Sequence, residues 1–219
     1  MAIEVVYGLA PAHADAQDWA LLDSHERQRA GRISQPEARG RYIALHALTR
    51  RVLARRLGLP PATLRIDRGR HGKPSLLGQP LFYNLSHSHQ YFALALSDEG
   101  EVGVDLESYH RRRTLHLSRL ARRCFATAEL EYWQKQPEHR REEVFLQFWT
   151  LKEALVKAAG LGIQAGLQHC QFDLTAPPHP VAIPDVMRGQ PAAWCWWQQK
   201  ISPGLLISVV YPAQQGSAG

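Results

Sequence analysis

The sequence predicts an α+β fold built as two similar packed lobes. The first observation is a long helical stretch in each half, about Glu37–Leu57 and Glu142–Ala159. The second is that short strands, not further helices, follow each of them. The third is the stop signals. Gly58 with Pro60 and Pro61 closes the first long helix, and Gly160 with Gly162 closes the second. The lobes are expected over residues 1–108 and 109–219.

In the first half, Ile3–Leu9 reads as a strand. Asp15–Ile33 is polar and arginine-rich (Arg27, Arg29, Arg32) and helical in part. Pro36 opens the long helix, where Ala44, Leu45, Leu48 and Val52 recur near 3.6-residue spacing and form its core face. Strands are expected at Leu64–Ile66, Leu81–Ser86, Tyr91–Ser97 and Val102–Glu107, the third being a nearly continuous buried run. Gly69–Gly78 reads as a loop rich in glycine and cations. In the second half, Arg111–Arg113 leads into a helix near Leu115–Phe125. Thr127 is placed to cap a short helix carrying Glu129, Leu130 and Trp133. Strands follow at His169–Leu174, Ala193–Lys200 and Leu205–Tyr211.

Bulk properties narrow the function classes. The hydrophobic and charged fractions are those of an ordinary globular protein. Apolar runs fall far short of the ~20 residues of a membrane-spanning helix. The first ten residues contain Glu4 and no basic segment, so no signal peptide is expected and a cytoplasmic location follows by default. Cys124, Cys170 and Cys195 form no C-x-x-C pair and read as reduced thiols. The net charge of +6 favours anionic partners without choosing among them.

Chemistry concentrates in four segments. In Glu101-Val-Gly-Val-Asp-Leu-Glu107, strand alternation puts Asp105 and Glu107 on one face, with Gly103 leaving open space beside them. Adjacent carboxylates repel, and a hard cation with oxygen ligands offsets that; a half-exposed strand with its polar face in water fits the same pattern. On the second long helix, Glu153 and Lys157 are four apart and share a face. They make a surface ion pair or, beside the acidic strand, part of a metal-phosphate site. Asn84-Leu-Ser-His-Ser-His-Gln90 carries a His-x-His pair that lacks a third metal ligand nearby, so its hydroxyls and imidazoles suit an anion or a plain polar turn. Arg41, at the start of the first long helix, and Lys73, in the exposed turn Gly72-Lys73-Pro74, are either phosphate contacts or solvated charges.

Taken together, these segments resemble the surfactin-synthetase-type 4′-phosphopantetheinyl transferases. The order is Gly72-Lys-Pro74, Asn84-Leu-Ser-His-Ser88, Gly103-Val-Asp-Leu-Glu107, Phe125 with Glu129, Trp149-Thr-Leu-Lys-Glu-Ala154, then Lys157 and Gly160. The resemblance implies a pseudodimer of two lobes, each a long helix on an antiparallel sheet, with coenzyme A in the cleft between them. It implies that Asp105, Glu107 and Glu153 hold magnesium, with manganese as an alternative, on the coenzyme pyrophosphate. It places Lys157 on the same phosphates, Arg41 and His87 on the 3′-phosphate with Ser86 close by, and Lys73 and Pro74 at the adenine end. Arg27 and Arg32 stand where the family has basic residues before the first long helix. Glu153 is the implied base, directly or through water, and Glu153 and Lys157 are the implied catalytic pair. The implied reaction transfers phosphopantetheine from coenzyme A to a serine of an apo acyl or peptidyl carrier protein, releasing 3′,5′-ADP. Nucleic acid and membranes are not expected partners, and a monomer is expected. Two other classes use the same residues: a metal-dependent phosphodiesterase, which would need no carrier, and a basic nucleotide-binding module, which gives Glu153 and Lys157 no role.

Overall fold

The computed structural model describes residues 3–109, 114–162, 166–174, 179–187, 190–202 and 204–213. It is a mixed fold of helices and antiparallel sheets. The N-terminal strand β1 (Ile3–Leu9) leads into α1 (Ala16–Leu21) and α2 (Ser24–Gly31). These two short helices break at Leu22–Asp23 because each begins on its own aspartate. Asp15 accepts from the Asp18 N–H and Asp23 from the Glu26 N–H, while the Asp18 and Glu26 carboxylates reach back to the capping residue. Pro36 sits in the first turn of α3 (Pro36–Leu57), and Gly58, at φ 68°, closes it in the left-handed conformation.

After α3 come β2 (Ile66–Arg68) and β3 (Pro74–Leu76), then the hairpin β4 (Phe82–Ser88) and β5 (Tyr91–Ser97). The Gly69–Gly78 segment is therefore not all loop, since β3 pairs with β2 through Asp67 and Ser75. Strands β1, β5 and β4 form one antiparallel sheet with β5 in the middle. The central position explains why β5 is apolar on both faces: Phe92, Leu94 and Leu96 meet α3, and Ala93 and Ala95 meet the second sheet.

That second sheet has the order β6 (Gly103–Ser108), β10 (Leu205–Pro212), β9 (Trp194–Ser202). The acidic strand, which closes the first half in the sequence, thus takes its backbone partner from the far end of the chain. Between β6 and β9 lie α4 (Thr114–Cys124), α5 (Thr127–Gln134), α6 (Glu138–Ala159) and the small pair β7 (Gln171–Asp173) and β8 (His179–Ala182). Helices α3 and α6 each have 22 residues. Helix α6 starts a turn earlier than its apolar spacing indicates and, like α3, ends on a left-handed glycine, Gly160 at φ 70°.

The two sheets share a core. Val102, Val104, Leu106, Ile207 and Val209 face Ala93, Ala95, Val5 and Phe82, while the opposite face of the second sheet packs on α6. Alternation on β6 therefore sends Val104 and Leu106 inward and Gly103, Asp105 and Glu107 toward the helix side. Gly103 does not leave open space there. A Cβ at that position would overlap Ala154 O and Ala158 N of α6. The missing side chain is what lets α6 lie directly on the acidic strand. Gly103→Ala is expected to destabilise the fold by at least about 3 kcal/mol, because backbone cannot yield as a rotamer can. Chemical denaturation checks this, and a stability within about 0.5 kcal/mol of the parent would show that the helix can shift after all.

A buried ion pair holds the second half together. Lys152, fully buried, lies 2.6 Å from Glu129 and donates to the carbonyls of Cys124 and Leu167 at 3.1 and 2.9 Å. Burial pushes Glu129 up and Lys152 down, and their attraction opposes both shifts. Glu129 also accepts from the Ala126 N–H at 2.7 Å and the Phe172 N–H at 2.8 Å. It does the work expected of Thr127, which is the first helical residue of α5 and makes no capping bond. The equivalent anchor of the first half is Arg50, 2% exposed, paired with Glu26 at 2.8 Å and Asp23 at 2.6 Å. All three cysteines are free thiols. No helix among the described residues is long and apolar enough to cross a membrane.

Candidate active site

The edges of the two sheets, β4 and β6, meet without a backbone ladder. Side chains at alternate positions of β4 take its place. Asn84 Oδ1 accepts from the Val104 N–H at 3.0 Å, and Ser86 Oγ accepts from the Leu106 N–H at 3.3 Å. Two hydroxyls then donate to the acidic strand, Ser86 to Asp105 at 2.9 Å and Ser88 to Glu107 at 2.7 Å. The Asn-x-Ser-x-Ser pattern is thus a seam that orients two carboxylates. Ser86 faces Asp105 and is not among the residues that line the cationic cavity next to His87.

Across the seam, α6 brings Glu153 and Lys157. Lys157 Nζ lies 2.6 Å from Asp105 Oδ1 and 3.1 Å from Ser86 Oγ. Glu153 is 6% exposed. Burial, then the charges of Asp105 and Glu107, raise its pKa to about 7, with Lys157 opposing. Asp105 Oδ2 and Glu153 Oε1 are both buried with no hydrogen-bond partner among the described residues. Buried carboxylate oxygens left in this state are costly. Among the described residues no set of three or more His, Cys, Asp or Glu side chains is drawn together closely enough to form a metal centre as it stands. The donor chemistry nevertheless suits a hard cation: two unpartnered carboxylate oxygens, with Glu107 beside them on the same strand face.

On the β4 side, a cavity of about 610 Å³ opens between α2, α3 and β4. Its walls include Arg29, Arg41, Arg68, Tyr42, His46, His87 and His89. Arg41 and His87, both singled out from sequence, come together here and are both exposed. Desolvation, then the nearby charges of Lys157, His46 and Arg29, lower the His87 pKa. Of the early arginines, Arg29 reaches this cavity. Arg27 is spent on the carbonyls of Trp19 and Ala20, and Arg32 lines an adjoining recess with His25 and Gln28, which shares Arg29 and Ile33 with the cavity.

Lys73 is not the solvated charge its exposed-looking turn suggested. Its ammonium pairs with Glu101 and donates to Val102 O at 3.2 Å and Ala158 O at 2.9 Å, strapping β3 to β6 and to the end of α6. Burial lowers its pKa, and Glu101 opposes the shift. Pro74 alone of that segment lines the cationic cavity. The sequence reading missed Lys152, Glu26, His46 and Tyr42. The first two look like surface charges in sequence, and only their long-range partners reveal them.

The geometry defines a class: a buried acidic pair held by one lysine, with a cationic cavity beside strand β4. Comparison with known proteins narrows it. Residues 101–210 match the family model of the 4′-phosphopantetheinyl transferase superfamily, and residues 11–99 match the model described as 4′-phosphopantetheinyl transferase, N-terminal. The chain belongs to the 4′-phosphopantetheinyl transferase superfamily. It is 37% identical over 151 residues to the putative 4′-phosphopantetheinyl transferase slr0495 of Synechocystis sp., covering 68% of this chain and 61% of that protein. It is 37% identical over 161 residues to the 4′-phosphopantetheinyl transferase HetI of Nostoc sp., covering 71% and 66%. Over 93 residues it is 42% identical to the 4′-phosphopantetheinyl transferase AcpT of Salmonella typhi, covering 42% and 47%. The matched region thus spans less than two thirds of each of these relatives.

Proposed function

We propose that this protein transfers the 4′-phosphopantetheine group of coenzyme A to a serine of an apo carrier protein and releases 3′,5′-ADP. We assign it to the surfactin-synthetase-activating type, acting as a monomer in the cytoplasm. The observation that carries the reading is the pair of buried, unpartnered oxygens, Asp105 Oδ2 and Glu153 Oε1, beside a cationic cavity in a chain of this superfamily. The two-lobed pseudodimer is supported by the paired 22-residue helices, each beside its own three-stranded antiparallel sheet. The cleft is then the β4–β6 seam. The lobes are taken as residues 1–108 and 109–219, with the pairing of β6 to β10 tying the last strand of the first to the second.

Asp105, Glu107 and Glu153 would hold magnesium or manganese, which supplies positive charge to the coenzyme pyrophosphate. The chain's own residues do the rest. Lys157, now on Asp105, would bind the same phosphates. Arg41 and His87 hold the 3′-phosphate, and the Pro74 ring faces the adenine end. The carrier serine Oγ attacks the phosphorus bearing pantetheine, and the bond from that phosphorus to the 5′-phosphate oxygen breaks. The serine proton passes to Glu153, directly or through water. Charge grows on phosphate oxygens, so placed cations are the main requirement.

Chromatographic detection of 3′,5′-ADP tests the reaction. Release is expected only with apo carrier, coenzyme A and magnesium together. Release without carrier would identify a phosphodiesterase instead.

Arg41→Ala is expected to weaken coenzyme A binding at least tenfold, since a charge-assisted contact contributes about 1.5–3 kcal/mol, and to leave dephospho-coenzyme A nearly unchanged. Equal losses for both ligands in calorimetry would move Arg41 off the 3′-phosphate.

The carrier is expected to be guided by cations. Arg111, Arg112 and Arg113 lie outside the described residues, but Arg119, Arg122 and Arg123 are exposed on α4. Charges of this kind act on association and are screened over ~8–10 Å at physiological salt. The carrier KM should rise with ionic strength. Arg119→Glu with Arg123→Glu should raise it about threefold or more at low salt with kcat little changed. A KM indifferent to both salt and charge would mean apolar docking.

A further inference from the structure

Thr150, Ser208 and Gln198 have no role in the account above, yet they continue a polar row that begins at the acidic site. Ser208 on β10 pairs across the strands with Asp105 of β6 on one side and Gln198 of β9 on the other. Cross-strand partners share a face, so these three side chains all point at α6. Thr150 comes down from α6 to meet them, and both it and Ser208 are fully buried. Ser208 Oγ lies 2.7 Å from Thr150 Oγ1. Gln198 Nε2 donates to Ser208 Oγ at 2.8 Å, Thr150 Oγ1 at 3.1 Å and Gln147 O at 2.9 Å. Thr150 donates to Leu146 O at 2.8 Å. With that proton spent, Ser208 is the donor to Thr150. The bonds therefore run one way, from Gln198 to Ser208 to Thr150 to Leu146, and neither hydroxyl lacks a partner.

Apolar side chains would fill this space equally well, so packing alone does not account for the hydroxyls. Helix α6 rests on the second sheet along Thr150, Ala154 and Ala158, spaced four apart on one helix face. At Ala154 and Ala158 the contact is close packing on Gly103. At Thr150 it is made of hydrogen bonds, which have a preferred direction. Glu153 and Lys157 lie on the next row of the same helix, turned toward the β4–β6 seam. Holding the first row therefore holds the second. Rotating a helix by about 10° moves a group at its surface by ~1 Å. A magnesium site, which demands near-ideal octahedral geometry at about 2.0–2.1 Å, does not tolerate an error of that size.

We propose that Thr150, Ser208 and Gln198 are positioning residues: their hydrogen-bonded row fixes the rotation of α6 on the second sheet and so sets the spacing of Glu153 from Asp105 that a small cation requires. This rests on the reading that these carboxylates hold magnesium. The test is calorimetric titration of the full chain, at saturating coenzyme A, with magnesium chloride and separately with calcium chloride. Thr150→Val with Ser208→Ala removes both hydroxyls together and leaves apolar groups facing each other, so the melting temperature should stay within about 4 °C of the parent. Thr150→Val alone leaves the Ser208 proton without its acceptor and should melt below the double variant. The double variant should nonetheless bind magnesium at least about tenfold more weakly, as losing the support behind a metal ligand does. Calcium, which accepts irregular coordination, should lose about threefold or less. Thr150→Ser keeps the hydroxyl and should bind magnesium within about twofold of the parent. Parent-like magnesium affinity in the double variant overturns the proposal, and so does an equal loss of both ions. Should the double variant not fold, Gln198→Met, at the half-buried end of the row, decides by the same two titrations. A parent that binds no magnesium overturns the underlying reading together with the proposal, whereas a parent that binds it leaves that reading standing whatever the variants do.

Discussion

Asp105→Ala is expected to lower transfer on the order of 10³-fold at saturating coenzyme A while leaving the protein folded. Asp105 is the residue through which the two halves of the site meet. Its Oδ1 receives Ser86 from β4 and Lys157 from α6, and its Oδ2 is buried without a partner. Removing it would delete one of the proposed anchors of the cation and the group that holds Lys157. The fold should survive because the deletion also relieves repulsion on Glu153, whose pKa Asp105 helps to raise. Lys157 is 28% exposed and can return to water. The melting temperature should therefore stay within a few degrees of the parent, or rise. Turnover and a thermal melt on the same preparation separate the two effects. Near-normal turnover would rule out Asp105 as a metal ligand.

The second large effect concerns pH. Glu153 titrates near 7 in the metal-free fold against 4.5 for the ordinary group. The folded protein thus binds more protons than the unfolded chain between those values. Its contribution to stability is fully present below about pH 4.5 and is lost as pH rises through 7. A gap of this size corresponds to about 3 kcal/mol. Metal-free protein should lose stability between pH 5 and pH 8, in addition to whatever other groups contribute. Glu153→Gln removes the carboxylate and should be more stable than the parent at pH 8 by up to about 3 kcal/mol, with little difference at pH 4.5. Magnesium at pH 8 should stabilise the parent and not the variant, since a cation favours the ionised carboxylate. Denaturant titrations across this range check each part. A parent and variant with the same pH slope would mean that Glu153 is hydrated in solution.

What the sequence reveals follows from how local each feature is. The spacing of Leu45 and Leu48 before a glycine stop marks α3, and the unbroken apolar run of Tyr91–Ser97 marks a strand central to its sheet. Asp105 and Glu107 share a face because strand alternation alone requires it. Other features were invisible because they depend on partners far along the chain. Nothing local in the sequence links Lys152 to Glu129, which the fold closes into one buried pair across 23 positions. Gly103 reads as room beside the carboxylates, yet it is where α6 makes its nearest approach. Ser86 and Ser88 read as anion donors, yet their hydroxyls serve the carboxylates. Of that segment, His87 and His89 line the cavity, together with Asn84 and Leu85 at its wall. Strand β8 carries too few residues and one proline, Pro180, so it has no pattern to read.

The central claim is that the acidic seam and the cationic cavity act on one molecule to deliver phosphopantetheine to a protein. Intact-mass measurement of an apo carrier incubated with this protein, coenzyme A and magnesium tests it most directly. A gain of one phosphopantetheine is expected, mapped by fragmentation to a single carrier serine, absent without magnesium and absent with Asp105→Ala. Carriers of acyl and peptidyl type that all remain unmodified, while coenzyme A is bound or hydrolysed, would contradict it.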